Sequence, residues 1–315
     1  MTLKIGTRAS PLALWQADHA QDQLIEAWGA LAEPDRLAIV EITTTGDQVL
    51  DRPLAEVGGK GLFTRELDTA LLDGRIDLAV HSMKDVPTWL PDGIVLAALL
   101  PRADVREVLI SPKAASIEQL PEGAVLGTTS LRRQAQVMVR RPDLKTTLFR
   151  GNVQTRLRKL EAGEADATFL ALAGLDRLCL TEVATAILEP DEMLPAVAQG
   201  AIGITCRAGD APMIELLAAV DHAPTRTCVG AERAMLEVLD GSCRTPIAGL
   251  AELEGGGSTV RLRGFIGWPD GHDHWTGERM GPVAEAAALA RDLGGELRDA
   301  AGSAFFAALA DDCTL

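Results

Sequence analysis

Short apolar runs alternate along this chain with stretches whose hydrophobic positions recur at helical spacing, and the alternation predicts strands and helices in succession. Residues 3–7 read as a strand. Ser10 and Pro11 then open a helix, with Ser as N-cap and Pro in first place, and Leu12, Leu14, Trp15, Leu24, Ile25 and Trp28 follow until Gly29 stops it. Strands over 37–43, 77–81 and 94–99, with a helix over 62–72, continue a pattern that predicts buried parallel strands. The rhythm restarts after Pro101, with strands over 107–110, 125–127, 145–149 and 166–171 and helices opening at Ser130 and Asn152. An apolar, Gly-rich stretch over 194–204 reads as a crossover strand back to the first lobe.

From Ala223 the pattern changes to a helix through Leu239, strands over 247–253, 260–266 and 274–279, and helices from Val283 and Ser303. Gly255-Gly256-Gly257 and Asp270-Gly271 mark the turns between those strands. The expected fold class is therefore α/β: two α/β lobes around a cleft, plus a small α+β C-terminal domain. Residues 1–100 and 201–220 would form the first lobe, 101–200 the second and 221–315 the third domain. The stretch 47–61, with Gly58, Gly59 and Gly61 and no clear periodicity, reads as a long mobile loop lying as a lid over the cleft.

Charge adds what periodicity does not. The chain has a formal net charge of -15, yet 128–159 carries Arg132, Arg133, Arg140, Arg141, Lys145, Arg150, Arg156, Arg158 and Lys159 against one acid, Asp143. Two sub-patterns, Gly127-Thr128-Thr129-Ser130-Leu131-Arg132-Arg133 and Phe149-Arg150-Gly151-Asn152-Val153-Gln154-Thr155-Arg156, place cations at helix starts, where the helix dipole opposes them unless an anion compensates. Arg140, Arg141, Arg158 and Lys159 read as a solvated helix face. Net acidity and the single interleaved aromatic, Phe149, argue against nucleic acid as partner, leaving small polycarboxylates or phosphates. No signal segment or membrane span is expected, so the protein reads as cytoplasmic with no membrane partner; a monomer is expected.

Further candidates stand at strand ends. Ser82, Lys84 and Asp85 follow the strand that ends near His81, where an α/β cleft binds ligands. Asp85 reads either as a general acid or as an ionised carboxylate stabilising a cation, and equally as half of a surface ion pair. Arg8 and Ser10 repeat the strand-to-helix arrangement, or merely cap the helix. The five cysteines are odd in number and widely spaced, which argues against disulfides and zinc. Cys243, in the turn Asp240-Gly241-Ser242-Cys243-Arg244-Thr245-Pro246, reads as an accessible thiol, and the other four as core. His272 and His274 read as exposed turn residues, and no metal site is expected.

These same stretches, with Thr7-Arg8-Ala9-Ser10-Pro11-Leu12-Ala13-Leu14-Trp15-Gln16, Val57-Gly58-Gly59-Lys60-Gly61-Leu62-Phe63 and Val80-His81-Ser82-Met83-Lys84-Asp85-Val86-Pro87, resemble the porphobilinogen deaminase family almost end to end. The resemblance implies two lobes like those of periplasmic ligand-binding proteins and a dipyrromethane cofactor joined by thioether to Cys243. It implies a transferase that links four porphobilinogen units head to tail, releasing ammonia and hydroxymethylbilane for tetrapyrrole biosynthesis. Asp85 would be the catalytic acid, helping ammonia leave and stabilising the azafulvenium cation. Lys84, Asp85, Ser130, Arg132 and Arg133 would hold the cofactor. Arg8, Ser10, Ser82, Arg150, Gly151 and Arg156 would bind the carboxylates of substrate and growing chain, with Lys60, Thr128, Arg177 and Gln199 in support. The alternative from another class is a two-lobed cytoplasmic dicarboxylate-binding protein without catalysis, which leaves the Cys243 turn unexplained.

Overall fold

A computed structural model describes residues 2–48, 61–239 and 245–311. These residues fall into two compact units, one containing 2–48, 61–103 and 200–226, the other 104–199, 227–239 and 245–311.

The first unit is built on a five-stranded sheet, ordered Leu37–Ile42, Leu3–Arg8, Leu78–Ser82, Ile202–Arg207, Ile94–Leu99. Its first three strands are parallel, in register from Leu3 opposite Leu37 to Arg8 opposite Ile42 and with Ile5 opposite Leu78. Ile202–Arg207 runs antiparallel to both neighbours. This corrects the all-parallel expectation: the strand is buried on both faces, and an apolar run with no polar side carries no record of its direction. One face is covered by the helix Pro11–Ala27 through Ala17, Ala20 and Leu24, and by Met213 and Leu217 of the helix Ala211–Ala218. The helix Arg65–Leu72 covers the other with Leu67, Ala70 and Leu71. It begins three residues after the predicted start, because Gly61 takes φ +81 and the chain turns there before the helix can propagate.

The second unit repeats the plan, with strands Lys145–Thr147, Val125–Gly127, Ala167–Ala171, Glu107–Ile110 and Ala186–Leu188 in that order. Glu107–Ile110 is antiparallel to both neighbours. The strand predicted over 145–149 stops at Thr147, and the Phe149 ring lies under Gly127, where an added Cβ would come within 2.6 Å of it. The predicted caps are present: Ser130 accepts from the amide of Arg133 and opens the helix Leu131–Arg140, and Asn152 accepts from that of Thr155 and opens Val153–Glu161.

The same unit holds a three-stranded antiparallel meander, Ile247–Glu254, Thr259–Gly267 and His274–Pro282. One face packs on the helix Ala286–Asp311, whose Leu293 and Leu297 fit against Gly264 and Gly277. Gly302, at φ +74, interrupts that helix between the two starts predicted at 283 and 303. Phe265, Ala248 and Leu250 join Ala135 and Leu194 in a shared core. Cys206 and Cys228 are buried, and burial pushes the Cys206 thiol up to about 11. Cys179 is exposed, contrary to expectation. It follows the last turn of Leu172–Arg177 in a left-handed conformation, φ +53, which turns it outward despite its leucine neighbours.

Candidate functional site

Two parallel strands of the first unit, Leu3–Arg8 and Leu78–Ser82, end at the same edge of the sheet, and polar residues follow both. After Ser82 the chain makes one tight turn, Met83–Asp85. Met83 anchors it: its amide donates to the Ala201 carbonyl at 3.0 Å, and its sulfur occupies the space a Cβ would take at Gly203. Lys84 is therefore exposed and Asp85 half-buried at the sheet edge.

Arg8 meets this turn from the neighbouring strand, its Nη1 lying 3.8 Å from Asp85 Oδ2. The rest of the guanidinium is clamped. Nε donates to Asp47 Oδ2 at 3.2 Å, Nη2 donates to Asp47 Oδ1, and the plane stacks 4.2 Å from the Phe63 ring centroid. Thr44 holds Asp47 in turn through its hydroxyl at 2.7 Å and its amide at 3.3 Å. Burial alone would raise the Asp47 carboxyl, but the bonds from Arg8 and Thr44 outweigh it and hold Asp47 below the usual carboxylate range. Ser82 Oγ lies within 2.8 Å of Gln16 Nε2 and 3.0 Å of its Oε1, while Ser10 caps its helix on the Ala13 amide at 3.3 Å. His81 is buried with Nε2 3.0 Å from Thr205 Oγ1, and burial together with the charge of Arg8 pushes it down to about 4, so it stays neutral. Asp85 is thus a half-buried carboxylate facing the Arg8 guanidinium, suited to stabilising positive charge or to moving a proton.

The second unit brings Thr128, Ser130, Arg132 and Arg133 into a single turn and helix start. Thr128 Oγ1 accepts from the Ser130 amide at 3.1 Å, and its own amide donates to the Thr147 carbonyl. Arg132 and Arg133 turn inward, 7% and 6% exposed, and meet an acid that sequence reasoning missed, the fully buried Glu107. Each carboxylate oxygen accepts from one guanidinium, at 2.5 Å from Arg132 and 2.7 Å from Arg133. Desolvation pushes the Arg132 guanidinium down against the opposing pull of Glu107. Among the described residues two cations share this anion, so the cluster stays positive, and the buried Nε of Arg133 meets no acceptor.

A second start carries Arg150, buried, and Arg156, whose Nε donates to the Gly151 carbonyl at 3.0 Å. Gly151 sits at φ +128, and an added Cβ would come within 2.5 Å of Thr155, so only glycine fits. Arg177 is buried, and desolvation pushes it down to about 10 against the pull of Asp176. Gln199 is fully buried and donates to the Val105 carbonyl at 2.8 Å. Lys60, Cys243 and most of the predicted lid lie outside the described residues; Thr45–Gln48, at its start, is helical.

Of the four residues expected on a solvated helix face, Arg140 and Arg158 are exposed, whereas Arg141 follows the helix Leu131–Arg140, is only 17% exposed and donates to the carbonyls of Ile117 and Glu118. Arg140 pairs with Glu118, Arg141 with Asp143 at 2.6 Å, and Lys159 with Glu164 at 3.7 Å, all near the surface. His272 is exposed beside Asp270. Among the described residues no cluster of His, Cys, Asp or Glu is suited to a metal ion. Glu107 was detectable as the lone acid in an otherwise apolar strand, Glu107-Val108-Leu109-Ile110. Asp47 had no such signal, because its partner Arg8 is far away in sequence.

Two family models match the chain: the dipyromethane cofactor binding domain of porphobilinogen deaminase over residues 3–215, and the C-terminal domain of porphobilinogen deaminase over 226–299. The porphobilinogen deaminase of Paracoccus denitrificans is 58% identical over 96% of this chain and 96% of its own length. A chloroplastic porphobilinogen deaminase of rice, Oryza sativa subsp. japonica, is 53% identical over 98% of this chain and 86% of its own length. A solved nutrient-binding protein from Burkholderia cenocepacia, bound to methionine, overlaps 71% of this chain and 94% of its own at TM-score 0.43 and 16% identity, too distant to bear on function.

Proposed function

The chain belongs to the porphobilinogen deaminase family, and from that premise we propose a division of labour among its residues. The reaction joins four porphobilinogen units head to tail on a dipyrromethane cofactor, releasing ammonia and then hydroxymethylbilane. Asp85 is the catalytic acid: it donates a proton as ammonia departs and faces the cation left on the substrate. The single observation supporting this assignment is its place in the turn after Leu78–Ser82, half-buried with Arg8 Nη1 at 3.8 Å.

When bound, the dipyrromethane supplies the pyrrole carbon to which the first substrate unit is joined. Its rings carry carboxylates, and the second unit's inward-facing arginines fit such a group: among the described residues the cluster of Arg132, Arg133 and Glu107 keeps a surplus positive charge and an unpartnered buried Nε. In this reading Lys84, Ser130, Arg132 and Arg133 hold the cofactor and Cys243 carries its thioether. Arg8, Ser10, Ser82, Arg150, Gly151 and Arg156 bind the carboxylates of substrate and growing chain, supported by Lys60, Thr128, Arg177 and Gln199. Arg8 does so with what Asp47 leaves free.

The same reading makes the protein a cytoplasmic monomer with three domains, 1–100 with 201–220, 101–200 and 221–315. Among the described residues no helix is long and apolar enough to cross a membrane. Intact-mass measurement of the purified protein tests the assignment of the cofactor thiol, since the adduct and its loss on substitution of Cys243 are read independently of turnover.

A further inference from the structure

We propose that Glu107 is a positioning residue for the cofactor: one buried carboxylate that sets Arg132 and Arg133 side by side and fixes the positive charge they present. The proposal rests on the reading of these two arginines as partners of the cofactor's carboxylates.

The strand that carries Glu107 continues as Val108, Leu109 and Ile110, which enter the apolar clusters of the second unit. A carboxylate in that setting is unfavourable unless cations meet it, and Glu107 meets two, one per oxygen. Each guanidinium is also held at its far side. Arg132 Nη1 donates to the Leu194 carbonyl at 2.9 Å, and Arg133 Nη1 donates to the Phe169 carbonyl at 2.8 Å. Leu194 is itself fixed, since its amide donates to Gln136 Oε1 at 2.7 Å and its carbonyl accepts from Gln136 Nε2 at 3.0 Å. Two bonds to each arginine, one from each amino group, leave neither plane free to rotate.

A core that needed only filling would not gather three charges, since apolar residues of similar volume fill such a site as well or better. Nor do these three charges balance. Two adjacent cations at a helix start repel each other and oppose the helix dipole, and a single carboxylate offsets only one of them. Among the described residues the remaining charge and the unpartnered Nε of Arg133 leave the network incomplete without an anion. Glu107 therefore does two things: it permits the pair to be buried, and it leaves one net positive charge in a fixed orientation.

The test compares Glu107→Gln with Val108→Ala, a change in the same strand that removes apolar packing and no charge, both in the full-length protein. Intact mass reads the fraction of molecules carrying the two-pyrrole adduct, thermal unfolding reads stability, and steady-state kinetics read kcat and KM. We expect Glu107→Gln to lower the adduct-bearing fraction and to reduce kcat per adduct-bearing molecule by about tenfold or more, with KM changed by less than about twofold. Val108→Ala should lose stability while keeping both readouts. Should Glu107→Gln not fold, Glu107→Asp, which keeps the charge but cannot span both guanidiniums, takes its place with the same expectation. The proposal is overturned if the glutamate variant matches Val108→Ala in adduct fraction and kcat. Arg132→Lys and Arg133→Lys separate the two levels of failure. If they also leave both readouts unchanged, the cofactor reading of the arginines fails; if they lower both while the glutamate variant does not, that reading stands and the role of Glu107 falls.

Discussion

Replacing Asp68 with asparagine should stabilise the protein near neutral pH and leave it almost unchanged in acid. Asp68 lies in the first turn of Arg65–Leu72, only 6% exposed. Burial, with a smaller contribution from the charge of Glu66 and against the hydrogen bond from Thr64, pushes its carboxyl up from 3.8 to about 6. The folded pKa is the higher one, so the folded protein keeps a proton that the unfolded chain has released. The stability this provides is fully present below pH 3.8 and is lost as the pH rises through about 6. A shift of this size corresponds to about 3 kcal/mol. Asparagine is neutral at every pH and retains the shape and an acceptor for Thr64, so it removes the cost of ionisation. The assay is urea unfolding of both proteins across pH. His81, pushed down to about 4, acts in the opposite sense, its contribution being lost as pH falls from 6.5, but it is common to both proteins and cancels in the difference. The variant's advantage should stay under about 1 kcal/mol near pH 4 and approach about 3 kcal/mol near pH 8. An equal effect at both pH values, or a loss near pH 8, would show that burial does not hold a proton on Asp68.

Asp85→Ala should abolish release of ammonia and hydroxymethylbilane while circular dichroism and the unfolding midpoint stay close to the parent's; near-normal turnover would remove Asp85 from the chemistry. Gly151→Ala forces a side chain into φ +128 and against Thr155, and should cost about 1–3 kcal/mol of stability. It should also raise KM by displacing Arg150 and Arg156, so thermal unfolding and steady-state kinetics check it together, and an unchanged KM would detach this turn from substrate binding.

The elements whose signals are local were readable from the sequence. Ser10, Ser130 and Asn152 cap helices through side-chain bonds three residues ahead, and Gly255 to Gly257 and Gly271 take the positive φ values that turns require. What escaped depends on contacts between distant residues. The directions of Ile202–Arg207 and Glu107–Ile110 are set by their neighbours in the sheet, which an apolar run does not encode. The candidate site divides the same way. Charge segregation and strand ends pointed to Arg8, Asp85, Arg132 and Arg133, but the acids that pair with the three arginines, Asp47 and Glu107, come from other segments. The outward turn of Cys179 escaped because its leucine neighbours looked like core, while the conformation that exposes it arises at a helix end.

The intact mass of the purified protein and of its Cys243→Ser variant reads the proposed thioether itself. The parent should exceed the mass of its sequence by one two-pyrrole adduct, and the variant should lack both the adduct and turnover. An unmodified parent that still converts porphobilinogen, or an active variant, would contradict it.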